Sequence, residues 1–267
     1  MVFVALLGSC ASLPAREELA EDYIRLGLAY LEIDRVDEAA DFLERAAELA
    51  PELPIAGYNL ARVYVAQGQP EEALSVIGPL YTSEPENILI AETRAFALAA
   101  AGQSAAAVVA YREILAAAPA HRNSLQNLAL LLAETEPVVA LGYAETLFDS
   151  YPADREAALV AWELGDSLGN PDLALASARA LARGAGSGRE DRIRLAETLT
   201  RQERYAEAEA ELTRLIEEQD SEELRFRLAR VLYLGVQDPL RAEELLIGAV
   251  ADGFRDVAAI AQLDRKS

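Results

Sequence analysis

The chain has 267 residues, of which 45 are acidic and 24 are basic, so its formal net charge is −21 at pH 7. This excess of negative charge repels phosphate backbones and anionic headgroups, which argues against nucleic acid as a partner. Hydrophobic residues make up 52% of the chain and aromatic residues 6%, so the core must consist mainly of alanine and leucine, as in helical proteins. No apolar run approaches the roughly 18 to 20 residues that span a bilayer, so we do not expect an integral membrane protein.

The first predicted segment, residues 1–9, is apolar and leads to Cys10, the only cysteine in the sequence. The run Leu-Gly-Ser-Cys places a leucine shortly before the cysteine, with small residues between them. This pattern resembles the lipobox of bacterial lipoproteins. The resemblance implies that residues 1–9 are a signal peptide, that Cys10 is lipidated, and that residues 10–19 are the lipidated cysteine and a short tether.

The same segment departs from a typical signal in its charge. A secretion signal normally opens with lysine or arginine, whereas the first basic residue here is Arg16. Two alternatives stay open: the natural start lies upstream of Met1, or the apolar N-terminus packs on the first repeat. Ala11 follows the cysteine, so an aspartate retention signal is lacking. The resemblance thus implies an outer-membrane lipoprotein that faces the periplasm, with the cytoplasm as the alternative location.

From residue 20 onward the sequence repeats itself at intervals of about 34 residues. Residues 21–52 and 55–86 align without a gap, and the same step predicts a repeat region over residues 20–256. Each unit has two stretches in which apolar residues recur three and four positions apart, which indicates two amphipathic helices. The units, about seven in number, begin near Ala20, Pro54, Ile88, Arg122, Arg155, Arg189 and Glu223.

Glycine and proline mark the predicted ends of these helices. Gly68, Gly102 and Gly169 suit the left-handed conformation that ends a helix. The stretch GAGSG, residues 184–188, is also predicted to be a turn and not a phosphate-binding loop, because no lysine follows it. Prolines fit the first turn of a following helix, where no N–H is needed; they are Pro70, Pro137, Pro171 and Pro239.

The first unit combines a large residue, Leu-Gly, tyrosine, alanine and proline at fixed spacing, as Tyr23, Leu26, Gly27, Tyr30, Ala39, Leu43, Ala46 and Pro51. This pattern resembles the tetratricopeptide repeat family. The resemblance implies an all-α fold, a right-handed α-solenoid of about seven helix-turn-helix repeats, with residues 257–267 as a C-terminal capping helix. Trp162 and Arg230 stand where the family has a small residue, so we expect units five and seven to be distorted.

The sequence has no pattern typical of a catalytic site. The nucleophile elbow, the dinucleotide fingerprint and the phosphate-binding loop are all absent. The single histidine, His121, has no second histidine with which to bind a metal, and we expect it to be a solvated loop residue. The prediction is a protein that is not an enzyme and needs no cofactor or metal.

In tetratricopeptide proteins the first helices line a concave groove, and this resemblance selects the partner-binding residues. Tyr58 and Phe96 offer rigid apolar area, and the amides can pair with the main chain of an extended peptide. The charged members in units five and six predict a preference for a basic or mixed-charge segment. The carboxylate clamp of chaperone-binding repeats is not expected, since Ile24 and Leu89 occupy two of its columns. The predicted groove comprises Tyr58, Asn59, Arg62, Glu92, Phe96, Asn123, Gln126, Asn127, Leu130, Glu163, Arg194 and Glu197.

These features predict a non-catalytic scaffold or adaptor lipoprotein that binds protein segments in the bacterial cell envelope. Two alternatives remain open at this point. One is an accessory or ligand-binding subunit of a periplasmic solute-transport system, and the other is a cytoplasmic adaptor if the N-terminal signal is not real. The sequence does not specify the partner or the oligomeric state.

Overall fold

The computed structural model of the protein describes residues 13–236 and 238–255. Within these ranges every element of regular secondary structure is a helix, so the predicted all-α class is confirmed. The chain divides into two compact units, one up to Ser124 and one from Leu125 onward. The predicted signal peptide, the lipidated Cys10 and the cap over residues 257–267 lie outside the described residues.

The first unit is built from consecutive helix pairs. Each helix packs on the next one along the chain, both within a pair and between pairs. The first helix already begins at Leu13, so the predicted tether over residues 10–19 is helical from that residue onward; its run of alanine, glutamate and leucine favours a helix. The helices are α1 (Leu13–Glu32), α2 (Val36–Leu49), α3 (Pro54–Ala66), α4 (Pro70–Ser83), α5 (Ile88–Ala100) and α6 (Ser104–Ala117).

Small residues set the close packing of α1 on α2. A Cβ added at Gly27 would lie 2.7 Å from Cγ of Leu43, and Ala39, Leu43 and Ala46 are fully buried. Such contacts explain why the sequence places glycine and alanine at fixed intervals, since larger side chains would separate the helices.

The short turns within the pairs require a residue in the left-handed conformation. Gly68 and Gly102 have φ of +73° and Gly169 has φ of +76°, as their sequence positions predicted. Two corresponding turns use Asp34 and Glu203 instead, both with φ of +58°. The turn therefore follows from the repeat geometry, and glycine is the least strained solution to it.

The second unit continues the pattern of packed pairs around a core of leucine and alanine. The predicted GAGSG turn is the connection between its fourth and fifth helices. The last pair is joined by a π-helical turn, Leu232–Val236. The helices are α7 (Arg122–Leu132), which starts in the first unit, α8 (Pro137–Ser150), α9 (Arg155–Ser167), α10 (Pro171–Arg183), α11 (Arg189–Arg201), α12 (Tyr205–Glu218), α13 (Glu222–Val231) and α14 (Pro239–Asp252).

The two units predicted to be distorted differ in outcome. In unit seven, α13 passes into the π-helical turn directly after Arg230, and this prediction is confirmed. In unit five the prediction is wrong, because α9 is a regular helix that contains Trp162. The close approach of α9 to α10 occurs one turn later, where a Cβ added at Gly165 would lie 2.8 Å from the backbone nitrogen of Ala174. The small residue has moved along the helix, and Trp162 lies half-buried against the core of the unit.

Candidate functional site

The first unit carries an open pocket of about 650 Å³ between α3 and α5. Its wall is partly apolar, and Phe96 is 48% exposed despite its size. The volume lies in the range typical of pockets for small ligands or single side chains. Its lining residues are Tyr58, Arg62, Val65, Ala66, Glu92, Thr93, Phe96, Ala100 and Asn123. Five of the residues selected from the sequence are therefore brought together here: Tyr58, Arg62, Glu92, Phe96 and Asn123.

Arg62 is the exposed cation of this pocket. Its guanidinium carbon lies 5.5 Å from the centre of the Tyr58 ring, in the range of a cation–π contact. Its Nη1 donates to Oδ1 of Asn59 at 3.3 Å. Among the described residues no carboxylate pairs with Arg62, so most of its five N–H donors face the open pocket.

Asn59, which the sequence placed in the groove, is only 3% exposed. The side chain turns toward the packed side of α3, where its Nδ2 donates to the carbonyl of Ile55 at 2.8 Å. Its interpretation as a peptide-binding amide is therefore corrected: Asn59 lies beneath Arg62 and orients the guanidinium. The reason is its position on the helix, next to the buried Leu60 and Ala56.

Glu92 is held by neighbours on one side of the pocket. Its carboxylate accepts from Nδ2 of Asn123 and lies 3.7 Å from Nε2 of His121. The His121 side chain is 21% exposed, and its Nδ1 lies 3.0 Å from Oγ of Ser124. The prediction of a solvated loop histidine is thus wrong, because the loop before α7 folds back onto α5.

Tyr111 lies fully buried in the same unit. Its hydroxyl has no hydrogen-bond partner among the described residues. Burial raises the pKa of this phenol, and the negative charge of Glu92 raises it further. Tyr111 is therefore neutral at physiological pH.

The remaining predicted groove residues belong to the second unit. On α7, Leu130 is 47% exposed, while Gln126 and Asn127 are half-buried. On α9, Glu163 is exposed. Arg194 and Glu197 lie on α11, where both are engaged in ion pairs within the unit.

The second unit presents a continuous row of side chains across α9, α11 and α13, which we call the α9–α11–α13 surface: Trp162, Arg194, Glu197, Arg227 and Arg230. The guanidinium carbon of Arg194 lies 4.7 Å from the centre of the Trp162 ring. The indole Nε1 donates to Oγ1 of Thr198 at 3.0 Å. Glu197 forms an ion pair with Arg227. Sequence reasoning missed Trp162 as a surface residue, although a single tryptophan in a small-residue position was a usable signal.

Two acids of this region are paired with its own arginines. Asp166 pairs with Arg201, and Glu197 pairs with Arg227. Glu163, by contrast, is exposed on α9, so the preference for a basic or mixed-charge segment stays a prediction. The sequence gives the charges in chain order, but pairing across adjacent helices decides which of them stay available.

Asp191 fixes the start of α11 and the position of α9. It is only 1% exposed and accepts from Nη1 and Nη2 of Arg155, at 2.7 and 3.0 Å, and from Nη1 of Arg194 at 2.7 Å. The N–H of Gly188 donates to it at 3.1 Å. Burial raises the pKa of the carboxyl, but these hydrogen bonds outweigh burial and hold the pKa below its usual value. Asp191 is thus a buried anion that orients Arg194 under Trp162.

Among residues 13–236 and 238–255, no group of three or more histidine, cysteine, aspartate or glutamate side chains is placed so that it could hold a metal ion. None of the described helices is both long enough and apolar enough to cross a membrane.

Comparison with known proteins agrees with this architecture. Residues 23–95 match the tetratricopeptide repeat family. A crystal structure of a tetratricopeptide repeat protein from Parabacteroides merdae covers 92% of this chain and 98% of its own, with a TM-score of 0.55 and 19% identity. PilF of Pseudomonas aeruginosa covers 87% of this chain and 99% of its own, with a TM-score of 0.61 and 19% identity. The helix pairs and these neighbours show the fold of a helical solenoid, and the segment 23–95 matches tetratricopeptide repeats.

One curated relative is named as a lipoprotein. A protein of Treponema pallidum named "uncharacterized lipoprotein" is 36% identical over 96 residues, which is 36% of this chain and 49% of the relative. The chain thus spans about half the length of this relative.

Proposed function

We propose that this protein is a non-catalytic scaffold that binds segments of partner proteins through the pocket of the first unit. The observation that carries the proposal is Arg62, an exposed arginine with no carboxylate partner among the described residues, beside an apolar wall that includes Phe96. Such a combination binds both the main chain and one side chain of an extended segment.

The geometry suggests how a segment is held. An apolar side chain of the partner rests against Phe96 and Val65, where it removes exposed apolar surface from water. The guanidinium of Arg62 donates to a main-chain carbonyl or a carboxylate of the same segment, oriented by Tyr58 and Asn59. Arginine forms such bonds in a fixed planar geometry, so it selects the direction of the chain.

The proposal assigns binding and no reaction to this pocket. Its carboxylate, Glu92, is held by Asn123 and lies beside His121. In this arrangement Glu92 shapes the pocket and repels acidic side chains at that end. Arg62 attracts them at the other end, so the pocket distinguishes the two directions in which a charged segment can lie.

We further propose that the chain is anchored through a lipid on Cys10 and faces the periplasm from the outer membrane. The lipobox-like sequence and the Treponema relative named as a lipoprotein support the lipid anchor, and Ala11 after the cysteine, where a retention signal would have aspartate, favours the outer membrane. Metabolic labelling with an alkyne fatty acid tests it in the native cell. Labelling of the wild type and not of Cys10→Ser is the expected result. An unlabelled wild-type protein in the cytoplasmic fraction would favour the cytoplasmic adaptor.

Site-specific photocrosslinking tests the binding proposal. A benzophenone amino acid replaces Phe96 in the pocket or, as a matched control on the same helix, Leu89, which is 55% exposed but does not line the pocket. We expect a protein adduct from position 96 that is lost when Arg62→Glu is added. The charge-reversal control is Arg214→Glu, since Arg214 is 65% exposed on α12.

The outcomes separate the alternatives. Equal adducts from positions 89 and 96, or adducts that survive Arg62→Glu, contradict a binding site in this pocket. Protein isolated from the native cell can also be denatured to test for a bound small molecule. Release of such a molecule, without any protein adduct, would favour the ligand-binding subunit of a transport system.

A further inference from the structure

We propose that a second pocket of the first unit binds a free basic amino acid, whose carboxylate pairs with Arg94 and whose two ammonium groups pair with Glu113 and Glu86. We call this pocket the α4–α6 cleft; it lies between Tyr81 on α4, Glu86 before α5, Arg94 on α5 and Glu113 on α6. Its volume is about 390 Å³, which is in the range typical of small-ligand sites.

The α4–α6 cleft is separate from the pocket that contains Arg62. Arg94 and Phe96 are two positions apart on α5, which is about 200° around a helix with 3.6 residues per turn. Phe96 lines the first pocket, whereas Arg94 lines the cleft, and no residue lines both. The cleft is therefore on another face of α5 from the predicted groove, and either site can exist without the other.

Arg94 occupies a position at which the other repeats from α3 onward bury an apolar side chain. It lies six residues after the start of its own repeat at Ile88. The preceding repeat has Leu60 there, within the core cluster that joins α2 and α3. Arg94 is only half-buried. The equivalent residues are all at most 6% exposed, and they are Leu60, Leu128, Ala161, Leu195 and Ala229.

An arginine at this position is unfavourable for folding, because it gives up the burial of a leucine and removes a cation from part of its water. Departures of this kind from the pattern of a fold are expected mainly at functional sites. The guanidinium carbon of Arg94 lies 4.6 Å from the centre of the Tyr81 ring, in the range of a cation–π contact. Among the described residues no carboxylate pairs with Arg94. Its N–H donors are thus left for an external acceptor.

Tyr81 holds Arg94 and Glu113 apart on either side of one ring system. The guanidinium lies over the ring, while the hydroxyl at the end of the ring donates to Oε2 of Glu113 at 3.4 Å. The cation and the carboxylate do not pair with each other, but one small molecule can contact both. An α-amino acid carries its carboxylate and its ammonium group on a single carbon. Its carboxylate suits the planar donor pair of arginine, and its ammonium group donates to Glu113.

The charge balance of the cleft favours a basic side chain on this amino acid. Glu86 also lines the cleft and forms no ion pair within residues 13–236 and 238–255. With Arg94, Glu86 and Glu113 the lining has one positive and two negative charges, so a simple anion does not match it. A ligand with one carboxylate and two ammonium groups balances all three. The net charge of −21 on the whole chain also attracts cationic ligands.

Apolar residues of the cleft accommodate the stem of such a side chain. Pro85 and Ile88 line the end near Glu86, and Ile114 contributes from α6. Methylene groups that rest on these residues are removed from water, while the ammonium group at the end of the stem stays hydrated or paired. The side chain is therefore expected to run along this apolar wall to Glu86.

Isothermal titration calorimetry of the full chain with L-lysine tests the proposal. The measurement belongs at about 0.15 M salt, where distant charges are screened. L-norleucine lacks the side-chain ammonium group of lysine, and cadaverine (1,5-diaminopentane) lacks the carboxylate, while both keep the methylene chain. We expect L-lysine to bind at least about tenfold more tightly than either compound, because each loses a charge-assisted contact.

Arg94→Leu removes the guanidinium and installs the residue that stands at Leu60. We expect lysine affinity to fall at least about tenfold, with a thermal midpoint that is unchanged or higher, because the position favours leucine. The matched control in the other pocket, Arg62→Leu, should change lysine affinity less than about twofold. Glu113→Gln should weaken lysine and norleucine alike, whereas Glu86→Gln should weaken lysine alone. Both glutamates are exposed, so these two variants remain informative if Arg94→Leu fails to fold.

Four results would overturn the proposal. The first is an absence of L-lysine binding up to about 1 mM. The second is equal binding of cadaverine, which would indicate a general attraction of cations to an acidic protein. The third is lysine affinity that survives in Arg94→Leu but is lost in Arg62→Leu, which would place the ligand in the other pocket. The fourth is unchanged lysine affinity in both glutamate variants.

Discussion

Replacement of Asp191 by asparagine removes the buried anion that connects α9 to α11. The carboxylate accepts two hydrogen bonds from Arg155, one from Arg194 and one from the N–H of Gly188. Asparagine has nearly the same shape but carries no charge and retains only one acceptor oxygen. The variant therefore leaves two arginines without their shared counterion while it alters the packing very little.

The expected cost follows from the exposure of the partners. Removal of one member of a buried ion pair typically destabilises a protein by about 3 to 5 kcal/mol. Arg155 is 46% exposed and can return to water, whereas Arg194 is only 15% exposed. We therefore expect the lower end, a loss of about 3 kcal/mol in the free energy of unfolding at pH 7. The matched control is Asp166→Asn, whose ion pair with Arg201 is partly exposed and should be worth less than about 1 kcal/mol.

Urea unfolding followed by the emission of Trp162 measures this effect locally, because its ring contacts Arg194. The pKa of Asp191 is lowered in the folded state, so its stabilisation is complete above the unfolded value of about 3.9 and is lost as the pH falls through the lower folded value. The difference between wild type and Asp191→Asn should thus be constant above about pH 5 and shrink below about pH 4. A cost equal to that of Asp166→Asn, or a difference that grows on acidification, would refute the reasoning.

Three further predictions concern packing. Gly165→Ala should lower the free energy of unfolding of the second unit by about 1 to 3 kcal/mol in urea, since the added Cβ would meet the α10 backbone. In the control Gly142→Ala the Cβ meets nothing within 4 Å, and the free energy of unfolding should rise by about 0.5 to 1 kcal/mol. Ala73→Leu should cost about 1 to 3 kcal/mol in thermal unfolding followed by circular dichroism, because Ala73 is fully buried; an unchanged thermal midpoint would mean that this position is not a helix crossing. Trp162→Phe keeps most of the ring contact but loses the hydrogen bond to Thr198; we expect a loss of about 1 kcal/mol by calorimetry. The double variant with Thr198→Val should lose less than the sum of the two single variants, and strictly additive losses would contradict a contribution from that bond.

The sequence by itself determined the helical repeat and its turns, because these depend on residues close together in the chain. Apolar residues at helical spacing make each helix amphipathic, and Gly68 and Gly102 adopt the left-handed turns that their positions predicted. Part of the first-unit pocket was also predictable. Tyr58 and Glu92 lie at equivalent positions of successive repeats, as do Arg62 and Phe96, and the two positions are four residues apart. Helical periodicity therefore places all four on the same side of their helices.

Only the tertiary structure decided which polar and bulky side chains are exposed and can contact a partner. Asn59 has the amide side chain expected of a binding residue, but it is buried. The side chain of His121, in the loop before α7, lies beside Glu92. Gly165 takes over the close crossing that Trp162 could not provide. These outcomes depend on how helices and loops pack on one another and on side-chain rotamers, which the order of residues does not show. Arg230 is a further case of the same kind. The sequence shows which residues precede and follow it, but only the packing of the helices shows that no carboxylate among the described residues pairs with it.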